Sequence, residues 1–270
     1  MTPLQFAARQ RGIHGRLATA VRRLLFLRGA PATDAERVAL AGELFRLVQR
    51  ERVESHRFAT AMIVREAARF GVVLTPPQIR PYDSGALVRV LERATGVGRD
   101  VPKVSVRILD PETKRVADRP VSVTESNRTD ATVVSMVSKR VERTAVRHAQ
   151  QAGREAVHDA ADSAGNQIGW ARVLSGAENC AWCAMLASRG PVYHSRQAAG
   201  GDDPYHDNCD CFPVLVKRGE SWIGQGEQQR LEALWAESTG RVYGKAKVKA
   251  FAKAWREVEA ERRQAARVAA

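Results

Sequence analysis

Five side chains that can bind a metal lie close together in the second half of the chain: Cys180, Cys183, His206, Cys209 and Cys211. Tetrahedral zinc takes four thiolate or imidazole ligands, and proteins often supply them as short-spaced pairs from separate segments. Cys180 and Cys183 can point to one side from a single turn, and the other three residues offer three ligands for two places. The spacing therefore predicts a closed, structural zinc site of three cysteines and one histidine, or of four cysteines, with one donor surplus.

The same cysteines allow other chemistries. Their even number permits disulfides, although no N-terminal secretion signal is expected and intracellular thiols stay reduced. A redox-active pair would need a buried strand before Cys180, whereas residues 174–179 resemble a polar loop. A zinc deaminase or a zinc protease is not predicted, because neither His-x-Glu nor His-Glu-x-x-His occurs. Zinc, reduced structural thiols, and disulfide or redox chemistry stay open as interpretations, and the spacing favours zinc.

A long helix and short strands are predicted to position this cluster. Residues 130–164 lack proline, and small apolar residues recur every three or four positions from Val134 to Ala156. Short strands are expected at residues 192–193 and 212–216, beside the cysteines. His148 and His158 lie in the long helix, where we expect both side chains to be exposed.

The first part of the chain is predicted to be helical. Thr2 with Gln5 and Thr33 with Glu36 have the spacing of capping boxes that begin two long helices. The first helix is predicted to have an apolar stripe formed by Phe6, Ile13, Leu17, Val21 and Leu24. A shorter helix is expected near residues 84–94, and alternating valines between 104 and 123 indicate a hairpin or an extended linker. The fold class is therefore mainly α with a small α+β C-terminal lobe, comprising a helical N-terminal part, a long central helix and a lobe stapled by the Cys/His cluster.

Four segments follow from these patterns. We predict a helical N-terminal domain over residues 1–95 and a hairpin or linker over 96–129. The domain that carries the Cys/His cluster covers 130–240, and a basic C-terminal helix covers 241–270.

The chain has 270 residues and a formal net charge of +13, and this charge lies mainly at its two ends. Its composition, 44% hydrophobic and 27% charged, is that of a globular protein, and no apolar run is long enough for a membrane span. A basic surface favours a polyanionic partner. The basic residues that we predict to contact nucleic acid or an acidic protein surface are Arg9, Arg16, Arg23, Lys245, Lys247, Lys249 and Lys253.

These charges have a second interpretation as ordinary solvated helix faces. The last helix also carries an apolar stripe, formed by Val248, Phe251, Trp255 and Val258. We expect removal of residues 241–270 to weaken contact with DNA without unfolding the lobe that holds the cysteines.

The cluster and its surroundings resemble a known signature. The run from Trp170 to Tyr193 contains Cys-Ala-Trp-Cys followed by a glycine and an aromatic residue, and His206-Asp-Asn-Cys-Asp-Cys closes it. This arrangement is similar to that of the phage Mu F-like minor head proteins, in the version found in tailed phages of actinobacteria. Asp207 and Asp210 depart from the family, which usually has proline and arginine at these positions.

The resemblance implies a minor capsid protein inside the phage head, near the portal, that aids head assembly and the packaging, retention or ejection of DNA. Its implied partners are the portal protein, the major capsid or scaffold protein, and double-stranded DNA bound without sequence preference, with no membrane partner. It implies a location in the virion, and in the host cytoplasm during assembly. The basic ends support non-specific DNA contact independently.

Two alternative functions remain. Related phage proteins suggest a capsid maturation protease, for which Ser175, Ser188, His194 and His206 are available, although no Gly-x-Ser-x-Gly motif surrounds a nucleophile. The sequence therefore favours a protein that is not an enzyme. A zinc-containing DNA-binding protein is the other alternative, and no recognition-helix pattern favours it.

Overall fold

The structure is a computed structural model, and it describes residues 1–97, 104–109, 116–175, 179–191, 205–207, 209 and 211–268. In these ranges the elements are α1 (Pro3–Arg28), α2 (Asp34–Phe70), α3 (Gly85–Thr95), β1 (Val104–Leu109), β2 (Val116–Val121), α4 (Ala131–Ser163), β3 (Ile168–Val173), α5 (Ala181–Ser188), β4 (Phe212–Lys217), α6 (Gln225–Thr239) and α7 (Ala246–Val268). A single 3₁₀ turn, Gly165–Gln167, joins α4 to β3. The predicted fold class, mainly α with a small α+β C-terminal lobe, is confirmed.

The two predicted capping boxes begin α1 and α2. The Thr2 amide donates to Gln5 Oε1 at 2.8 Å, and the Gln5 amide donates to Thr2 Oγ1 at 3.2 Å. Thr33 and Glu36 exchange the same pair of bonds, each at 3.2 Å. These bonds satisfy amides that the first turn of a helix leaves without an intrahelical acceptor.

The chain forms two compact units, each built from separate segments. The helical unit comprises Gln10–Ser55 and Ile79–Ala152, and the cysteine unit comprises Met1–Arg9, His56–Gln78 and Gly153–Ala270. The domains predicted from the sequence are each one continuous segment, whereas each compact unit joins two or three segments. The predicted domain boundaries stay a prediction.

Apolar stripes on successive helices form the core of the helical unit. Ile13, Leu17 and Val21 on α1 are completely buried, as the helical periodicity predicts. The predicted small-residue face of α4 is also buried, with Val137, Val141, Ala145 and Ala149 all at 0% exposure. β1 and β2 pair antiparallel from Val104 opposite Val121 to Leu109 opposite Val116, which confirms a hairpin instead of a linker.

Neutral hydrogen bonds cross the core of the helical unit. Gln10 Nε2 donates to Ser55 Oγ at 2.9 Å, and Gln150 Nε2 donates to the Gln10 carbonyl at 3.0 Å. All three side chains are buried, so each needs a protein partner in place of water.

A two-stranded antiparallel sheet lies in the cysteine unit. β3 pairs with β4 from Ile168 opposite Lys217 to Val173 opposite Phe212. β4 corresponds to the strand predicted at 212–216, whereas β3 was not predicted, and the strand predicted at 192–193 lies outside the described residues. All six residues of β3 are buried, including Arg172.

Helices α5, α6 and α7 pack together beside this sheet. Phe251 and Trp255 of α7 are buried against Met185 and Leu186 of α5 and Leu231 of α6. Of the predicted stripe on α7, Val248 is an exception, since it is 40% exposed.

Helix α7 contacts the segment that leads into the cysteines. Trp255 Nε1 donates at 2.7 Å to the carbonyl of Asn179, the residue before Cys180. Removal of residues 241–270 would expose the apolar residues of α5 and α6 that pack on α7, so these contacts argue against the expectation that the lobe is unaffected by such a truncation, which stays a prediction. Among the helices that the structure describes, none has both the length and the hydropathy required to cross a membrane.

Candidate metal centre

Three elements of the cysteine unit position the cysteines. Cys180 is the N-cap residue of α5, and its sulfur accepts a 3.2 Å bond from the Cys183 amide. Cys183 lies in the first turn of α5, so both sulfur atoms lie at the start of one helix, as predicted from the spacing. Cys209 and Cys211 directly precede β4, which is paired with β3.

The five predicted donors come together in two groups of three that share Cys183. Cys180, Cys183 and His206 form one group, Cys183, Cys209 and Cys211 form the other, and within each group the ligand atoms lie within 4.8 Å of one another. His206 Nε2 is 2.5 Å from Cys180 Sγ and 3.9 Å from Cys183 Sγ. Cys183 Sγ is 3.1 Å from Cys209 Sγ and 3.4 Å from Cys211 Sγ. Cys209 Sγ and Cys211 Sγ are 2.7 Å apart. All four cysteines are free thiols, so the disulfide interpretation is wrong for this structure.

The chemistry of this donor set fits a metal ion. Zinc binds thiolate at about 2.3 Å and imidazole at about 2.0 Å, so atoms of one tetrahedral site lie roughly 3.5 Å apart. Cys183 Sγ lies 3.1 to 3.9 Å from the donor atoms of Cys209, Cys211 and His206, which is close to this separation, whereas the 2.5 and 2.7 Å contacts are shorter than it. His206 Nδ1 lies 2.9 Å from the carbonyl of Asp207, and such a bond directs Nε2 toward a metal. The Cys/His cluster could therefore bind a metal ion.

Electrostatic shifts divide the thiols into two kinds. The hydrogen bond with Cys183, together with the bond to His206, lowers the pKa of Cys180 to about 5. The bond to Cys180 raises the pKa of His206 to about 9, which outweighs the opposing effect of burial. Hydrogen bonds to Cys180, Cys209 and Cys211 raise the pKa of Cys183 instead, because its thiol is the donor. Cys180 is thus held as a thiolate beside an imidazolium when no metal is bound.

Burial alone would raise the pKa of Cys211. Bonds from Cys183 and Cys209, and the charges of Arg172 and Arg154, outweigh that effect, so its pKa lies well below the usual range.

A buried polar layer surrounds the cysteines, and sequence reasoning missed it. Tyr205 is 1% exposed, its ring is stacked on His158 at 5.8 Å, and His158 is stacked on Trp170 at 4.0 Å. His158 Nε2 and the Tyr205 hydroxyl are 3.2 Å apart. The predicted exposure of His158 is wrong, because this side chain is completely buried, whereas His148 is partly buried.

Two arginines belong to the same layer. Arg154 and Arg172 are 2% and 1% exposed. For Arg172 the sequence carries a signal, because this basic residue interrupts the apolar run 168–173. Arg154 is two positions from both Ala152 and Ala156, so it lies on the side of α4 opposite the Ala-lined face, and the periodicity gives no signal for it.

Of the four residues available for a protease, His206 and Ser188 contact residues other than a serine or histidine partner. His206 contacts Cys180, and the buried Ser188 hydroxyl donates to the Met185 carbonyl at 2.7 Å. Ser175 is partly buried, and His194 lies outside the described residues.

The predicted basic contact residues lie on α1, on α7 and just before α7. Arg9 and Arg23 are exposed, and the Arg9 guanidinium lies 5.5 Å from the centre of the Phe58 ring. Arg16 forms a 2.7 Å salt bridge with the buried carboxylate of Glu51, so its charge is partly neutralised within the helical unit. Lys245, Lys249 and Lys253 are exposed, and Lys247 is partly exposed.

Comparison with known proteins places the cluster inside a recognised family. The sequence model of the VG15 protein family matches residues 104–238, a range that includes all five donors. The gene 15 protein of Mycobacterium phage D29 is 35% identical over 124 residues, which covers 34% of this chain and 45% of that protein. The gene 15 protein of Mycobacterium phage L5 is 33% identical over 107 residues, with 26% and 36% covered.

The chain therefore spans less than half the length of these relatives. No solved structure matches it significantly. Because the family match extends over half of the sequence, this chain belongs to the VG15 protein family.

Proposed function

We propose that this protein is a minor capsid protein of a tailed phage, located inside the head near the portal, where it aids head assembly and the packaging, retention or ejection of DNA. The observation that carries this proposal is the Cys/His cluster. It is built from the residues that resemble the Mu F-like signature, and it lies within the range matched by a phage protein family.

In this function the cluster is a structural zinc site. Zinc would supply a fixed tetrahedral cross-link, held by four of Cys180, Cys183, His206, Cys209 and Cys211. Cys180 and Cys183 would fix the start of α5, and Cys209 or Cys211 would fix the start of β4. The site thus joins two segments that are far apart in sequence and stabilises the lobe without taking part in a reaction.

The basic helices are proposed to contact packaged DNA or an acidic surface of the portal, the major capsid or the scaffold protein. Lys245, Lys249 and Lys253 are exposed while Phe251 and Trp255, on the same helix, are buried. This division leaves the lysines available to phosphates without disturbing the core. Contacts of this kind are independent of DNA sequence and weaken as the salt concentration rises.

Metal analysis of the full-length purified protein tests the zinc site. We expect close to one zinc per chain, lost on dialysis against a strong chelator together with a fall in thermal stability. A folded protein that contains no metal and whose stability does not respond to chelator would refute the site.

Mass spectrometry of purified phage particles tests the location. We expect the protein in DNA-filled heads at a few copies per particle, far fewer than the major capsid protein. Its absence from heads and from their assembly intermediates would refute a capsid function.

DNA contact is tested by replacing Lys245, Lys247, Lys249 and Lys253 with glutamine. We expect weaker binding to double-stranded DNA and a smaller dependence on salt, because fewer phosphates are neutralised and fewer counterions are released. A matched control replaces Lys139, Arg65, Arg93 and Arg218, four exposed basic residues elsewhere, with glutamine. Equal losses of affinity in the two variants would show a general charge effect and contradict a specific role for this helix.

A further inference from the structure

Two guanidinium groups are buried beside the cysteine cluster. Arg154 projects from α4 and Arg172 from β3, and they are 2% and 1% exposed. A buried charge costs several kcal/mol of desolvation unless opposite charge and hydrogen bonds compensate it. Two such groups in one place therefore indicate negative charge nearby.

The contacts of both arginines lead to the cysteine segment that precedes β4. Arg172 Nη1 lies 3.2 Å from Cys211 Sγ and 4.0 Å from Cys183 Sγ. Arg154 Nη2 donates to the carbonyl of Cys209 at 2.5 Å and to that of Cys211 at 3.1 Å. One arginine thus holds sulfur atoms of the cluster, and the other holds the backbone between them.

Both guanidiniums contact the ring of Tyr205. The Arg154 and Arg172 guanidinium carbons lie 4.2 and 4.1 Å from the centre of the Tyr205 ring. Contact with an aromatic ring stabilises a desolvated cation and fixes its plane. Because Tyr205 directly precedes His206, this layer also anchors the segment that supplies the histidine donor.

A cysteine-rich metal site would place negative charge beside both arginines. A divalent zinc with three thiolates has a net charge of about −1, and with four thiolates about −2. Such an anion in a dry core is itself costly, and adjacent N–H donors to sulfur reduce its charge. The anionic site and the two arginines would therefore stabilise each other.

We propose that Arg172 and Arg154 are the counter-cations of the metal centre and position its ligands, Arg172 through the sulfur of Cys211 and Arg154 through the backbone of Cys209 and Cys211. The inference rests on the proposed zinc site. It adds that the affinity of this site depends on residues that do not bind the metal.

Zinc affinity of the full-length chain, measured by competition with a chromophoric chelator, tests this inference. We expect Arg172→Gln to weaken zinc binding by about 10- to 100-fold, as removal of partners of metal ligands generally does. Arg172→Lys, which keeps the charge but has fewer donors, should recover part of the loss. Arg189→Gln, an exposed arginine at the end of α5, is the matched control and should leave the affinity unchanged.

Cobalt substitution adds a readout that a purely structural role would not change. In Co²⁺-loaded protein the thiolate-to-metal absorption should shift in Arg172→Gln, because the sulfur of Cys211 loses its N–H donor, and should return toward the wild-type position in Arg172→Lys. An unchanged zinc affinity and spectrum in a folded Arg172→Gln variant would overturn the inference.

A double-mutant cycle covers the case in which Arg172→Gln does not fold. Arg154→Gln and Cys211→Ser are then measured singly and together, and we expect the combined loss of zinc affinity to be smaller than the product of the two single losses. Independent losses would overturn the inference. A wild-type protein that binds no zinc would refute the proposed site itself, which is a different result from a wild-type site that ignores both arginines.

Discussion

The two units of the protein bury polar groups in different ways. In the helical unit, Gln10, Ser55 and Gln150 satisfy one another with neutral hydrogen bonds of 2.9 to 3.2 Å, and the buried carboxylate of Glu51 is paired with the exposed Arg16 and Arg50. In the cysteine unit, the buried guanidiniums of Arg154 and Arg172 lie beside the cysteine cluster. A buried charge needs opposite charge nearby: arginine side chains supply it to Glu51, whereas thiols can supply it to the two buried arginines.

The helical unit balances its buried charge with its own side chains, whereas the proposed metal ion would complete the cysteine unit. The helical unit contains apolar stripes, matched amides and the ion pairs of Glu51. The cysteine unit brings five donor atoms and two cations to one place, which is the composition of a site that holds a metal. The two units should therefore respond differently to mutation and to removal of metal.

The largest expected effect comes from Cys183→Ser, since Cys183 belongs to both groups of donors. We expect the free energy of unfolding of metal-loaded protein to fall by about 4 kcal/mol, because the variant breaks a buried charged set. Urea denaturation with and without chelator measures the effect. The variant should no longer respond to chelator, and a response equal to that of the wild type would show that Cys183 is not a ligand.

Ile13→Ala should cost about 3 kcal/mol, because it removes a completely buried side chain from the helical unit. Urea denaturation should give the same loss with and without chelator. Leu27→Ala, at a position that is 68% exposed, is the control and should change stability little. A chelator-dependent loss at Ile13 would contradict the division between the two units.

Ser55→Ala should destabilise the protein by about 2 kcal/mol, because the buried Gln10 amide loses its partner. Thermal unfolding compared with that of Ser135→Ala, an exposed position on α4, measures this loss. If the two variants were equally stable, the buried amide network would contribute nothing to the helical unit.

The smallest effect is one of thiol reactivity in metal-free protein. The pKa of Cys180 is lowered to about 5, so this thiol is ionised at pH 6, where an ordinary cysteine is protonated. The larger fraction of thiolate speeds the reaction at pH 6, and the weaker nucleophilicity of a low-pKa thiol offsets part of this gain. We therefore expect Cys180 in the folded protein to react with iodoacetamide about tenfold faster than Cys180 in the urea-unfolded chain at pH 6. Peptide mass spectrometry identifies the labelled residue.

The direction of the pH dependence follows from the same shift. Because the folded pKa of Cys180 lies below its usual value of 9.0, the stabilisation that it contributes is present at high pH and lost as the pH falls through about 5. Labelling of Cys180 should slow over the same range. His206→Gln removes one partner of the thiolate and should slow labelling at pH 6, and an unchanged rate would show that the pair does not form.

Sequence patterns predicted the features that repeat along the chain. The capping boxes at Thr2 and Thr33, the apolar stripe of α1 and the Ala-lined face of α4 follow from local spacing alone. The clustering of Cys180, Cys183, His206, Cys209 and Cys211 was also predictable, because short-spaced donors are rare by chance.

The buried polar layer could not be predicted in the same way. Arg154, His158 and Arg172 are residue types that are usually exposed, and their burial depends on partners from other segments. β3 escaped prediction because Gly169 and Arg172 weaken a short apolar run, and its pairing with β4 depends on contact across a long stretch of chain. Long-range pairing and charge compensation are tertiary properties, and local periodicity does not encode them.

The pairing of β3 with β4 has a consequence for the order of folding. The strands meet across the intervening residues 174–211, so an unfolded chain must close a long loop before the first ladder bond forms. Cys183 and Cys209 lie inside that loop, and an ion held by both would replace one long closure with two shorter ones. Metal captured early would then accelerate formation of the sheet, and its availability during synthesis would govern how fast the cysteine unit folds.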